Sequence, residues 1–347
     1  MVDHAMVSLW GQQVGYVVWQ KEFGYAVFEY EPNFLRSGLD IAPIQMSIKD
    51  AQSGDGIFFF PELRNNTFFG LPGLLSDALP DKFGNRIIDA WLARNGRDPK
   101  SFNPVERLCY MGKRGMGALE FVPRIHPKKL NKFASVEIAR LVELTQNIME
   151  HRQSLDVNLG SVESENTEAL TDILRVGTSA GGARPKAVIA INDKGHIISG
   201  QTTVPKGYDC WILKFDGVSD EELGESKGYG RIEYAYYLMA KAAKININEC
   251  RLLEEGGRAH FMTKRFDRKQ NEKIHMLSLC GLAHFDFNVA GGYSYEQAFG
   301  IMRALKDLNQ SDMEQQFRRI VFNILARNQD DHTKNISFLM DKQGKRI

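Results

Sequence analysis

The spacing of apolar residues changes period more than once along this chain, which restricts the folds open to it. Residues 6–10 and 14–19 alternate around Gly11, which predicts two strands joined by a tight turn. Residues 25–30 read as a further aromatic strand, and 57–60 are apolar enough to predict a buried one. From Asp81 the period becomes helical. Phe83, Ile87, Ile88, Trp91 and Leu92 fall near one face of a helix over 82–94, which Gly96 stops. A short helix over 104–111 leads into a loop at Gly112, Gly115 and Gly117. A basic stretch over 124–132 reads as a linker, 136–148 as a helix, and the polar residues 151–166 as a loosely held connection.

Alternation then returns. A Gly-rich turn over 178–186 precedes strands over 187–192 and 208–215, a helix over 232–244, and a hairpin across Gly256 and Gly257. From Leu277 the chain reads as mostly helical, over 295–308 and 311–325. Strands with one helix, followed by helices, describe an α+β fold with a two-lobed second half. The chain has 347 residues, enough for two or three domains. Its 44 Lys and Arg against 43 Asp and Glu give a net charge of +1, which argues against wholesale coating of nucleic acid. That balance does not argue against a local basic patch, such as the one around Lys128, Lys129 and Lys132. The four cysteines are far apart and suit neither a disulfide scaffold nor a zinc site. Neither a leader nor a membrane span is read from the sequence, so a cytoplasmic location is expected.

The densest run of functional groups is 323–335, a polar island between the apolar runs 320–322 and 336–340. Protein kinases place a base Asp five positions before a magnesium-binding Asn. Asp330 and Asn335 fit that spacing and Asp331 does not. A carboxylate there takes or orients the proton of an attacking hydroxyl, and an amide oxygen suits a hard cation. Lys334 can stabilise phosphoryl charge. His332 reads as a structural residue before a proton carrier. An Asx-rich turn joining helix to strand is the plain alternative.

Lys214 alternates with apolar neighbours in a strand, so it needs an anionic partner or must reach water along its stem. Glu233 is the plausible helix partner, with Glu222 and Glu225 as competitors. The Gly-rich turn can wrap phosphates with backbone amides or be a generic hairpin turn. The strand exit at Lys264, Phe266 and Asp267 is where adenine would meet backbone groups, with Asp267 near the ribose; an ordinary strand exit is the alternative.

Four segments together resemble the HipA toxin kinases of bacterial type II toxin–antitoxin systems. They are 71–81 (Leu-Pro-Gly-Leu-Leu-Ser-Asp-Ala-Leu-Pro-Asp), 178–186 (Thr-Ser-Ala-Gly-Gly-Ala-Arg-Pro-Lys), 277–284 (Leu-Ser-Leu-Cys-Gly-Leu-Ala-His) and 330–335 (Asp-Asp-His-Thr-Lys-Asn). The resemblance runs from near residue 5 to the last residue, in the family's order. It implies a β-rich N-terminal subdomain over 1–125, a protein-kinase-like small lobe over 126–266, and an all-helical large lobe from 267 to 347. It also implies ATP and Mg2+ as cofactors and phosphorylation of Ser or Thr in a protein such as a tRNA synthetase.

Carried over, Asp330 is the base, Asn335 a metal ligand, and Lys214 and Lys334 contacts to the nucleotide. Ser179, Ala180, Gly181 and Gly182 form the loop over the phosphates, with Ser179 as an autophosphorylation site that switches the kinase off by charge repulsion. A HipB-like helix-turn-helix antitoxin is the implied partner, with DNA bound only through it. The family's second metal-binding Asp would lie beyond Ile347, so the sequence reads as part of a longer kinase with weak phosphotransfer. An inactive relative acting as an antitoxin-bound co-repressor is the alternative. A small-molecule kinase is a third reading, and the helical N-terminal block weighs against it.

Overall fold

The turn at Gly11 opens the first sheet. In the computed structural model, which describes residues 2–126, 130, 135–150, 173–174, 176–177, 184–218, 228–269 and 272–346, β1 (His4–Leu9) and β2 (Gln12–Gln20) form an antiparallel hairpin. Its two loop residues, Trp10 and Gly11, both have positive φ, the conformation that matches the twist of the strands. The Trp10 indole N–H donates to the Lys273 carbonyl at 2.7 Å, tying this turn to the far half of the chain. β3 (Tyr25–Tyr30) and β4 (Ile57–Phe59) extend one side of the sheet and β5 (Leu119–Val122) the other, in the order β4-β3-β2-β1-β5. Ala5, Val7 and Leu9 of β1 and Ala26, Phe28 and Tyr30 of β3 point inward and are buried. Each large one contributes about 1.5–3 kcal/mol. β4 departs from expectation: it is the edge strand, with Ile57 and Phe59 exposed.

The second sheet comprises β6 (Lys186–Asn192), β7 (Ile197–Ser199), β8 (Tyr208–Lys214), β9 (Cys250–Glu255) and β10 (Arg258–Lys264), ordered β7-β6-β8-β10-β9. Its pairings are all antiparallel. One face, carrying Ala187, Ile189, Trp211, Leu213 and Met262, packs on Phe83, Ile87, Ile88 and Leu92 of the helix Lys82–Arg94. This second core therefore uses a helix from the N-terminal block. The first core likewise takes in Leu277, Leu282, Leu305 and Met340 from the C-terminal part. The segments are contiguous in sequence, but their cores are shared.

The C-terminal part is mainly helical, with Leu279–Ala283, Tyr295–Ala304 and Gln310–Leu325. It also carries two short ladders, β11 (Arg268–Lys269) with β12 (Glu272–Lys273), and β13 (His275–Ser278) with β14 (Ser337–Met340). The second ladder brackets the 330–335 loop. Asp341 sits in a tight turn closed by the Gly344 N–H donating to its carbonyl at 3.0 Å.

Two of the sequence motifs form one interface. Asp77 accepts from both the N–H and the hydroxyl of Ser278, at 2.6 and 2.9 Å. The Gly73 N–H donates to His284 Nε2 at 3.1 Å. A Cβ on Gly73 would lie 2.1 Å from the Gly281 carbonyl oxygen, so the two backbones touch where both residues lack side chains. Among the described residues no helix is long and apolar enough to cross a membrane.

His284 and His275 are uncharged parts of this packing. Burial lowers the pKa of each to about 4, and the Ile41 carbonyl contact of His275 only partly opposes it. An imidazole in the unfolded chain titrates near ~6.5. Between those values the unfolded chain binds protons that the folded chain refuses, so stability is full above the upper value and falls as pH drops. The loss is on the order of 3 kcal/mol per histidine. Denaturant unfolding at neutral pH and near ~5 should show a lower midpoint in acid, with a shallower pH slope in His284→Gln.

Candidate active site

Lys214 ends β8 with its side chain on the face of sheet two opposite the core just described. Its neighbours at the same register are Lys186 on β6 and Phe261 on β10. The helix Tyr229–Ala242 packs against β9 and β10 and places Glu233 within 2.5 Å of the Lys214 ammonium. Of the three candidate glutamates, Glu222 and Glu225 lie outside the described residues. The pair is part-exposed, at 37% and 28%, so solvent screens it and the lysine remains reachable.

Lys186 is held differently. Its ammonium lies 3.3 Å from Asp81 Oδ2, and both side chains are sealed, at 3% and 5% exposure. Burial lowers the lysine pKa and raises that of the aspartate, and each charge opposes the shift of the other. The charge of Lys214 is felt at Lys186, and that of Lys334 at Asp81.

The loop leaves the helix Gln310–Leu325 through Ala326, whose carbonyl accepts from the Tyr236 hydroxyl at 2.7 Å. This bond ties the loop's entry to the helix bearing Glu233. The two aspartates then divide. Asp331 accepts from the Tyr295 hydroxyl and from Asn323 Nδ2, the latter at 2.8 Å. Asp330, 91% exposed, presents its carboxylate to solvent, with His332 Nε2 3.7 Å away. Asn335 Nδ2 donates to the Asp330 carbonyl, leaving its amide oxygen for another contact. Thr333 donates to the Phe285 carbonyl at 2.6 Å, and Lys334 lies over the Phe287 ring. His332 also rests on Phe287, as a structural histidine would.

Asp330, Asn335 and Lys334 share one loop, and the entry to that loop is bonded to the helix whose Glu233 pairs with Lys214. The donor types fit a magnesium nucleotide. An exposed carboxylate and an amide oxygen suit a hard cation that keeps phosphate and water ligands, and two ammonium groups suit the phosphates. Ser179, Ala180, Gly181 and Gly182 lie outside the described residues. Just after them, Arg184 stacks on Tyr229 at the start of the Glu233 helix, 3.8 Å from the ring centroid.

One expected contact is corrected. Asp267 does not face a ribose. It is fully buried, accepting from Arg265, Arg268 and the Gly117 N–H, the last at 2.8 Å. Burial pushes its pKa up, but Arg265, then Arg268 and Gly117, outweigh burial and hold it well below the usual carboxylate range. The Lys264 side chain lies on the sheet face away from Lys214, because side chains alternate along β10, and pairs with Asp209 at 2.6 Å. Phe266, at the strand exit, is exposed. Sequence reading missed the Asp81–Lys186 pair, although both residues lay within quoted motifs. A lysine opening a strand beside another strand that ends in lysine was the available signal.

Three stability measurements follow. Asp267→Ala strands two buried guanidiniums and should cost about 3–5 kcal/mol by denaturant titration. Asp331→Ala should cost about 1–3 kcal/mol by removing a shared acceptor. Asp330→Ala should stay within roughly 0.5 kcal/mol of the parent, since its side chain stands in solvent.

Comparisons with known proteins agree with this layout. Residues 5–122 match the family model of the HipA N-terminal domain, and residues 178–347 that of the HipA-like C-terminal domain. Among solved structures, the chain is similar to one in the complex of the Shewanella oneidensis MR-1 toxin–antitoxin system HipA, HipB and its operator DNA. The match has a TM-score of 0.63 at 17% identity, covering 99% of this chain and 74% of the other. A search of curated proteins finds no match. The two family matches lie in order and leave only the segment between them and the first four residues unmatched, and the fold agrees over nearly the whole length. The chain belongs to the HipA family.

Proposed function

We propose that this protein is an ATP- and Mg2+-dependent Ser/Thr protein kinase serving as the toxin of a toxin–antitoxin pair. The observation that carries this reading is the part-exposed Lys214–Glu233 pair, whose helix is bonded through Tyr236 to the entry of a loop in which Asp330 alone of the two aspartates is free of side-chain hydrogen bonds among the described residues. Bound Mg·ATP supplies the transferable phosphoryl group. Lys214 orients its phosphates and is itself held in place by Glu233. Asp330 accepts the proton of the attacking Ser or Thr hydroxyl. Asn335 offers its amide oxygen to the cation, and Lys334 offsets charge on the phosphoryl oxygens.

Within this proposal Ser179 is a self-modification site, and added phosphate there repels nucleotide phosphate. The HipB and operator DNA of the Shewanella complex support a HipB-like antitoxin as partner. DNA is then engaged through that antitoxin, consistent with the net charge of +1. A cytoplasmic translation-related protein such as a tRNA synthetase remains the substrate class implied by the resemblance.

Phosphotransfer from radiolabelled Mg·ATP to Ser179 or to added protein tests the reading. Asp330→Ala should lose about 10²-fold or more in rate with its fold intact. Lys214→Ala should weaken nucleotide binding. Wild-type rates in Asp330→Ala would overturn the assignment. A chain that binds antitoxin yet never transfers phosphate would favour the co-repressor role.

A further inference from the structure

Lys214 ends β8, and two residues later Asp216 grips the helix that brings Glu233 to that lysine. Asp216 is buried. Its Oδ1 accepts from the Gly228 N–H at 3.0 Å, and its Oδ2 from the Ala259 N–H on β10 at 3.1 Å. Its own N–H donates to His260 Nδ1 at 2.9 Å. One residue thus joins the end of β8, the strand β10 and the opening of the helix Tyr229–Ala242. Gly228 is the N-cap of that helix and has no side chain to serve it, so the acceptor at the helix start comes from Asp216. The helix start also lies directly on β10: a Cβ on Gly230 would stand 1.9 Å from the Ala259 carbonyl oxygen. Glu233 follows about one turn later. The tyrosine anchors of this helix lie beyond Glu233, where Tyr236 donates to the Ala326 carbonyl and Tyr237 packs on Cys250 and Phe261. Ahead of it stand the Arg184–Tyr229 stack and the solvent-exposed Arg231–Glu254 pair.

We propose that Asp216 is a positioning residue: by fixing the helix start to the ends of β8 and β10, it sets the distance at which Glu233 meets Lys214. The consequence for phosphate binding rests on the nucleotide reading above, whereas the pairing itself does not. Lys214 rides on the strand and Glu233 on the helix, and their bond at 2.5 Å tolerates little displacement of one element against the other. Without Asp216 the Gly228 and Ala259 N–H groups lose their acceptors and the helix start loses its tie to the sheet. Water then competes for both ends of a pair that is already part-exposed.

Asp216→Ala in the full chain is read first without nucleotide. A water-soluble carbodiimide joins a carboxylate to an amine where the two touch, so the Lys214–Glu233 cross-link, scored by peptide mass spectrometry, reports the pair directly. Its yield should fall about tenfold, the scale of a lost hydrogen bond to a charged group. The Lys264–Asp209 and Lys342–Glu272 pairs are internal controls, and their cross-links should stay within about twofold, as expected of sites that share no partner with Asp216. Calorimetric titration with Mg·ATP and separately with adenosine comes second. Asp216→Ala should weaken Mg·ATP binding about tenfold and adenosine binding by less than about twofold. Glu233→Gln should weaken Mg·ATP binding as well, and the double variant should bind no worse than Glu233→Gln alone, because Asp216 acts through that glutamate.

An unchanged Lys214–Glu233 cross-link in folded Asp216→Ala overturns the proposal, as do equal falls in all three cross-links or additive losses in the double variant. Should Asp216→Ala fail to fold, Asp216→Asn decides, since one amide oxygen cannot occupy both places that the carboxylate oxygens hold. A selective fall in the same cross-link then supports the proposal, and an unchanged yield overturns it. A selective cross-link loss with unchanged Mg·ATP affinity would uphold the role of Asp216 and defeat the one given to Lys214 in nucleotide binding. A parent chain that binds neither ligand defeats the nucleotide reading, and the cross-link alone then judges Asp216.

Discussion

Lys186 and Lys214 sit at the same register on adjacent strands, side by side on one face. Two ammonium groups so placed repel each other and resist leaving water unless carboxylates come to them. Much of the tertiary arrangement answers that requirement. Glu233 arrives on the helix laid across β9 and β10, and Asp81 on a helix from the N-terminal block. The two solutions differ in solvent access. The Lys214 pair stays part-exposed and able to exchange partners, while the Lys186 pair is sealed and fixed.

The N-terminal block is thus more than an appendage. Its helix Lys82–Arg94 completes the core of sheet two, its Gly73 backbone touches Gly281, and its Gly117 N–H helps satisfy Asp267. The buried Asp267 cluster joins the exit of β10 to the 112–117 loop by charge, where close packing alone would leave two guanidiniums without partners. In the C-terminal part the polar 323–335 island is sorted by its surroundings. Asn323 and Tyr295 consume Asp331, Phe285 takes Thr333, and Phe287 supports His332 and Lys334. What remains is Asp330 in solvent and the amide oxygen of Asn335.

Much of the secondary structure was legible because it depends on local period. Residues 25–30, 82–94 and 104–111 match the observed elements end to end, since apolar spacing and a following glycine or cap mark them unambiguously. The edge position of β4 was not legible: Ile57 and Phe59 look like core residues until the sheet order is known. Asp330 was separable from Asp331 by spacing alone, and Glu233 was nameable as a partner. Asp267 was misread because sequence places it only at a strand exit, whereas its burial and the cations around it depend partly on the 112–117 loop, far along the chain.

By itself, then, the sequence determined the elements, their order, the kinase-like spacing of Asp330 and Asn335, and the family signature. Periodicity, capping and spacing are local properties, readable without knowing what packs on what. Only the tertiary structure decided that Asp81 neutralises Lys186, that Asp267 is an internal anchor, and that the N-terminal motif and the 277–284 motif are two halves of one contact. Those outcomes depend on charges and backbones brought together across one hundred to two hundred positions of chain, and neither composition nor period encodes such meetings.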